Sequence, residues 1–220
     1  MNYGQVKNQV LQLLNQYTVA GTPVAPSYNN QADYLNRIPA LVNDAVQEIA
    51  TTTRKIQEVL TLDYDPSAEE HDTWDEFGDR IRFVLPDDFY QFKTGDTFVV
   101  TDDGVTLHTG RFQIEGKKYL LIPKKELEDG RTYTITYYRY PRLLGNDPAD
   151  EDELDNEPET HYAVPFYAAA FLVIHDDAFL FSAFYNKYED KLAKMGPGVS
   201  AELRSVADSF GFSRGSVYDT

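Results

Sequence analysis

The chain has 220 residues, 42% hydrophobic and 25% charged, enough for one domain with an insertion or two small domains. Cysteine is absent, which excludes a disulfide framework, a thiolate metal site and a Cys nucleophile. Lys and Arg number 20 against 36 Asp and Glu, a formal charge of −16, so the chain as a whole lacks the basic surplus that grips nucleic acid by counterion release.

The N-terminus, MNYGQVKNQVLQLLNQY, holds one Lys and no long apolar run, unlike a signal peptide. Val6, Val10, Leu13, Leu14 and Tyr17 recur at helical spacing and predict a helix over 4–17. Pro23 and Pro26 then mark a loop. Asn29-Asn30 offers a cap for a second helix over 31–57, with an apolar face of Tyr34, Leu35, Ile38, Leu41, Val42, Ala45, Ile49 and Ile56 and a kink near 38 at Pro39. Residues 62–79 are acidic and aperiodic and read as a loop holding an ordered Trp74.

From 80 to 141 the period changes to two. Ile81, Phe83 and Leu85 alternate with Arg80, Arg82 and Val84. Asp102-Asp103-Gly104 and Glu115-Gly116 are turn signals, and Tyr133, Ile135 and Tyr137 alternate with threonines in the last strand. Five or six short strands predict an antiparallel sheet or sandwich. Residues 145–159 carry eight carboxylates and no basic residue, and read as a solvated linker without the ligand spacing of an EF-hand.

The segment His161–Leu192, HYAVPFYAAAFLVIHDDAFLFSAFYNKYEDKL, is apolar and aromatic almost throughout. Its apolar run, Ala163 to Ile174, spans 12 residues, short of the roughly 20 that a bilayer crossing needs. Pro158 or Pro165 fits a first helical turn, and Asp176 or Asp177 fits the cap of a second helix after a break at His175-Asp176-Asp177. His161 and His175 lie almost four helical turns apart, about 21 Å, so one straight helix cannot bring both to a metal ion. Phe179, Leu180, Phe181, Phe184 and Tyr185 step around much of the second helix, which must be enclosed on most sides, by its own core alone or with help from a neighbouring subunit. Candidates for subunit or partner contact are Phe181, Phe184, Tyr185 and Tyr188, together with Phe210, Phe212 and Tyr218 in the Ser-rich end. No phosphate loop, hydrolase elbow, zinc motif or dinucleotide fingerprint occurs, so the expectation is a non-enzyme with no cofactor and no metal.

The order of segments carries a resemblance. YLNRIPALVNDAVQEIA comes first, YTITYYRYP ends the strand-rich part, LDNEPETHYAVPFYAAAFL follows, and FYNKYEDKLAKM closes the last helix. Over residues 1–195 this resembles the head–tail connector, or neck adaptor, proteins of tailed bacteriophages. The resemblance implies an α+β fold: an α-helical bundle with an inserted antiparallel β-sheet or sandwich unit and an extended C-terminal tail. The expected organisation is N-terminal helices over 1–61, the β-rich insertion over 62–144, the acidic linker and C-terminal helices over 145–195, and a docking tail over 196–220. It further implies a structural virion protein, assembled in the host cytoplasm, that forms a ring, usually a dodecamer, between the portal protein and the tail or tail-terminator proteins. DNA would pass through its lumen without specific binding, and no membrane is involved. The tail would dock on the portal or a neighbouring subunit through Phe210, Phe212 and Tyr218. The shorter members lack so large a β unit. A tail-terminator or tail-completion protein is one alternative, and a β-domain module for a saccharide or host receptor, using Tyr-rich strands, is another.

Overall fold

The computed structural model describes residues 1–14, 30–67, 73–92, 98–102, 105–109 and 112–195, with backbone alone described for 30–31, 98–102 and 105–109. The chain divides into two units, Met1–Arg54 with Arg142–Thr220, and Lys55–Pro141. The fold is α+β, with helices in one unit and antiparallel sheets in the other.

The helical unit begins with α1, Tyr3–Leu13. Asn2 caps it: its side chain accepts from the Gln5 backbone N–H at 2.9 Å, and Gln5 Oε1 accepts from the Asn2 backbone at 3.1 Å. This reciprocal box satisfies two donors that a helix start leaves open. The predicted extension to Tyr17, the loop at 21–26 and Asn29 lie outside the described residues.

Helix α2 spans Asn30–Glu48 and runs on through Pro39. The carbonyl that Pro39 leaves without a donor belongs to Leu35, on the exposed side of the helix. Ile38, Val42, Ala45 and Ile49 are buried, as the spacing predicts; Val46, outside the predicted face, is buried too, while Leu35, placed on that face, is exposed. The helix ends earlier than expected, however. Ile49–Thr53 widens into a π turn, and the Arg54 N–H donates to the Ile49 carbonyl at 2.8 Å. The cause is the run Thr51-Thr52-Thr53. The Thr51 hydroxyl donates to the Gln47 carbonyl at 2.8 Å and the Thr52 hydroxyl to that of Glu48 at 2.6 Å, competing with the helical ladder.

The remaining helices are α3, Val164–Val173, and α4, Ala178–Ala193. Both expected proline starts occur: Pro158 opens a 3₁₀ turn over Pro158–Tyr162, and Pro165 sits in the first turn of α3. Helix α3 is buried on nearly all sides, with Val164, Ala168, Ala169, Ala170 and Leu172 in the core. No helix among the described residues is long and apolar enough to cross a membrane.

The acidic segment differs most from expectation. Instead of a solvated linker it is tied to the start of α1. The Tyr3 N–H donates to the Asp152 carbonyl at 2.7 Å and the Gly4 N–H to that of Asp150 at 2.9 Å, so two more open donors of the first turn are satisfied. Asn2 forms a bridge with Glu153, Lys7 pairs with Asp150, and Leu154 is only 5% exposed. Negative charge also suits the positive end of a helix. The Tyr3 hydroxyl is pushed up to about 12 by burial and by Asp150 and Asp147.

Gly4 permits this approach. A Cβ there would meet the Asp150 Cβ at 2.8 Å and its carbonyl oxygen at 3.0 Å. Alanine would gain about 1 kcal/mol of helix propensity, but forcing the segment away costs about 1–3 kcal/mol. Gly4→Ala is therefore expected to lower thermal stability, and Gly4→Val to lower it further. An unchanged melting temperature in both would show that the segment does not hold α1.

The β unit contains nine strands among the described residues: β1 Ile56–Tyr64, β2 Trp74–Phe77, β3 Arg80–Val84, β4 Phe89–Phe92, β5 Phe98–Asp102, β6 Val105–Thr109, β7 Gln113–Glu115, β8 Tyr119–Pro123 and β9 Arg131–Arg139. All described pairings are antiparallel. In one sheet β9 pairs with β1 along one edge, and with β5 and then β4 along the other, while β6 pairs with β5. The other sheet has the order β2-β3-β8-β7. One core draws on both: Leu62, Tyr64, Tyr133, Ile135 and Tyr137 from the first, Trp74, Ile81, Phe83, Leu120 and Ile122 from the second. The β7–β8 hairpin turns at Gly116 and Lys117, both at φ 58. The segment 62–79, expected as loop, instead supplies the end of β1 and all of β2. Trp74 is ordered as predicted, its ring 5.1 Å from that of Tyr64.

Candidate functional site

Two helix ends define the surface of interest. Asp177 caps α4, its carboxylate accepting from the Phe179 and Leu180 N–H groups at 2.9 Å each. The break at His175-Asp176-Asp177 is thus a helix boundary, as the sequence suggested. From it an aromatic seam runs between α3 and α4. The Tyr167 and Phe171 rings lie 4.5 Å apart, Phe171 meets Phe181 edge-on at 5.7 Å, and Phe181 stacks on Tyr185 at 5.7 Å. Tyr188 meets Tyr167 edge-on at 5.1 Å. Such offset and edge contacts are the favoured geometries of aromatic pairs.

At the closed end of the seam sits Glu48, the last residue of α2. It accepts from the Tyr188 hydroxyl at 3.1 Å. Burial and then the Glu48 charge push the Tyr188 and Tyr167 hydroxyls far above the phenolic range. The Tyr185 hydroxyl is raised by the same two causes in the same order.

The sequence-predicted contact residues separate here. Phe184 and Tyr185 are half-buried against the core, Phe181 is half-buried against Phe171 and Tyr185, and all three keep part of their surface exposed. Tyr188 is 0% exposed and has no surface to offer; its place is the core. Phe210, Phe212 and Tyr218 lie outside the described residues. The most accessible aromatic of the helix is Phe179, 81% exposed, with Leu180 beside it at 38%.

At the far end of the helix, Arg54 is 4% exposed. It donates to the Met195 carbonyl and pairs with Glu157 at 3.5 Å. Sequence reasoning had no signal for this hub, because Arg54 follows the threonine run and its acceptors come from two later segments.

His161 is buried, its Nδ1 facing the amino group of Met1 and its Nε2 the Asn156 carbonyl at 3.0 Å. Burial, and then the positive N-terminus, lower its pKa, against smaller opposing effects of the hydrogen bond to the Asn156 carbonyl and then of the Glu153 charge. In the window between that lowered value and the ordinary value near 6.5, the unfolded state binds the proton and the native state does not. Stability therefore rises with pH through this window, is fully present above it, and is lost as pH falls through the folded pKa. His161→Gln should flatten the acid limb of a stability–pH curve below about pH 6.5. An unchanged limb would refute the assignment. Among the described residues no three His, Asp or Glu groups are placed to hold a metal ion.

The surface thus presents exposed Phe179 and Leu180 at the first turn of α4. The sequence profile of the SU10 adaptor protein family matches residues 1–210. The chain belongs to that family, a phage head–tail adaptor family. A search of curated proteins gives no match.

Proposed function

We propose that this protein is a non-enzymatic component of the virion neck, assembling as a ring, dodecameric as in the resemblance above, between the portal and the tail and continuing the DNA channel. Membership of a head–tail adaptor family supports the location. The observation that carries the ring is the first turn of α4, where Phe179 and Leu180 stand exposed beside half-buried Phe181. Exposed aromatics of this kind are the residues that interfaces favour. The formal charge of −16 supports a lumen that does not hold DNA, since like charge repels phosphate. Phe181, Phe184 and Tyr185 border the subunit contact, and residues 196–220 supply the segment that docks on the portal.

The test is co-expression with the portal protein, followed by light scattering and negative-stain imaging. A portal-bound ring is the expected result. A chain that stays monomeric and never binds portal or tail would overturn the reading. A six-fold ring found only on tails would favour a tail terminator.

A further inference from the structure

The helical unit carries an apolar projection at one end of α4 and, at the other, a groove lined by both apolar and polar side chains. The projection is Phe179, next to Asp176, whose side chain is exposed and makes no hydrogen bond or ion pair among the described residues. The groove is lined by Gln9, Gln12 and Leu13 of α1, Tyr162, Phe166 of α3, and Lys191 of α4. It is an open surface groove with a volume of about 370 Å³. Lys191 makes no ion pair among the described residues, whereas its neighbours Lys187 and Lys194 both pair with Asp190.

Phe179 and Lys191 are twelve residues apart on one helix, about 18 Å at 1.5 Å per residue. The projection of one copy therefore cannot fill the groove of the same copy. We propose that Phe179 of one copy inserts into the groove between α1, α3 and the end of α4 of the next copy, with Asp176 facing Lys191 across the contact. The occupant is a second copy because the two patches match in chemistry: an aromatic ring beside the Asp176 carboxylate, and a slot with Leu13, Tyr162 and Phe166 in its lining beside the Lys191 ammonium, neither charge being ion-paired among the described residues. The two patches differ, so the contact is heterologous, and a heterologous contact repeated around a rotation axis closes a ring.

This contact presupposes the ring proposed above, and the experiment separates the two. The full chain is co-expressed with the portal protein, carrying a photo-crosslinking amino acid at position 179, and crosslinked peptides are mapped. Crosslinks to residues 9–13 or 162–166 of another copy are expected. Phe179→Ser should lower the yield of complete rings at least tenfold without unfolding the monomer, because the side chain is 81% exposed. Asp176→Lys and Lys191→Asp should each lower the yield, and the double variant should restore it. Rings that form while position 179 crosslinks to the portal, or to its own chain, would overturn this contact and leave the ring standing. A double variant no better than the single ones would do the same. Absence of any ring in the unsubstituted protein would overturn both.

Discussion

Tyr188→Ala is expected to destabilise the helical unit by about 3–5 kcal/mol, the usual cost of deleting a large aromatic from a packed core. Tyr188 is fully buried, packs edge-on against Tyr167, and ties α4 to α2 through Glu48. Against a total stability of about 5–15 kcal/mol, that loss would leave a marginal or unfolded unit. Tyr188→Phe keeps the ring and removes one hydrogen bond, so it should cost only about 0.5–1.5 kcal/mol. Helical ellipticity in urea is the right probe, since the single tryptophan, Trp74, reports on the β unit. Equal midpoints for the alanine variant and the parent would mean that Tyr188 is not a core residue.

The same hydroxyl predicts an alkaline limb. Its folded pKa is raised, so above the ordinary phenolic value near 10 the unfolded chain releases a proton that the native state keeps. Stability from this group is fully present below that pH and falls as pH rises through the folded pKa. Tyr167 is raised for the same reasons and adds to the loss. In Tyr188→Phe the decline should be shallower.

The contrast between Tyr188 and Phe179 shows what a sequence can and cannot convey about this surface. Periodicity of about 100° per residue tells which side chains share a face. It does not tell which face another helix covers. Phe181 and Tyr188 lie two turns apart on one stripe. Tyr188 meets α2 at Glu48, whereas Phe181 lies near the free end and stays half-exposed. Position along the helix decides the role, and only the placement of α2 and α3 reveals it.

The fold was legible where side chains carry the signal. The apolar stripe of α2, the alternation in β9 and the Asp cap of α4 all stand as the pattern indicates. It was illegible where backbone atoms decide. The acidic segment reads as solvated because its carboxylates face water, yet its carbonyls serve the start of α1. The spacing places the start of strand β1 at the end of a helix, because Ile56 continues the spacing of Ile49, and the acidic composition places its end in a loop. Three successive threonines break the ladder between Ile49 and Ile56, and Leu60, Leu62 and Tyr64 then alternate as strand residues.

Removal of residues 196–220 is expected to abolish joining to the portal while leaving a folded chain. The helical core gathers α1, α2, α3 and α4, and its last described member is Met195, held at its carbonyl by buried Arg54. Truncation after Met195 keeps that contact, so the helical unfolding midpoint should shift little. The removed part holds Phe210, Phe212 and Tyr218 among Ser and Gly, a composition in which a few aromatic anchors would supply most of the docking energy. Each such ring contributes about 1.5–3 kcal/mol when buried. Losing three per subunit, repeated around a ring, would reduce binding by many orders of magnitude rather than by degrees. Arg54→Ala forms the control: it should weaken the helical fold at the base of the tail yet spare the anchors. Virion incorporation of the truncated chain at the parental level would show that the portal is held elsewhere, with the exposed first turn of α4 the next surface to substitute.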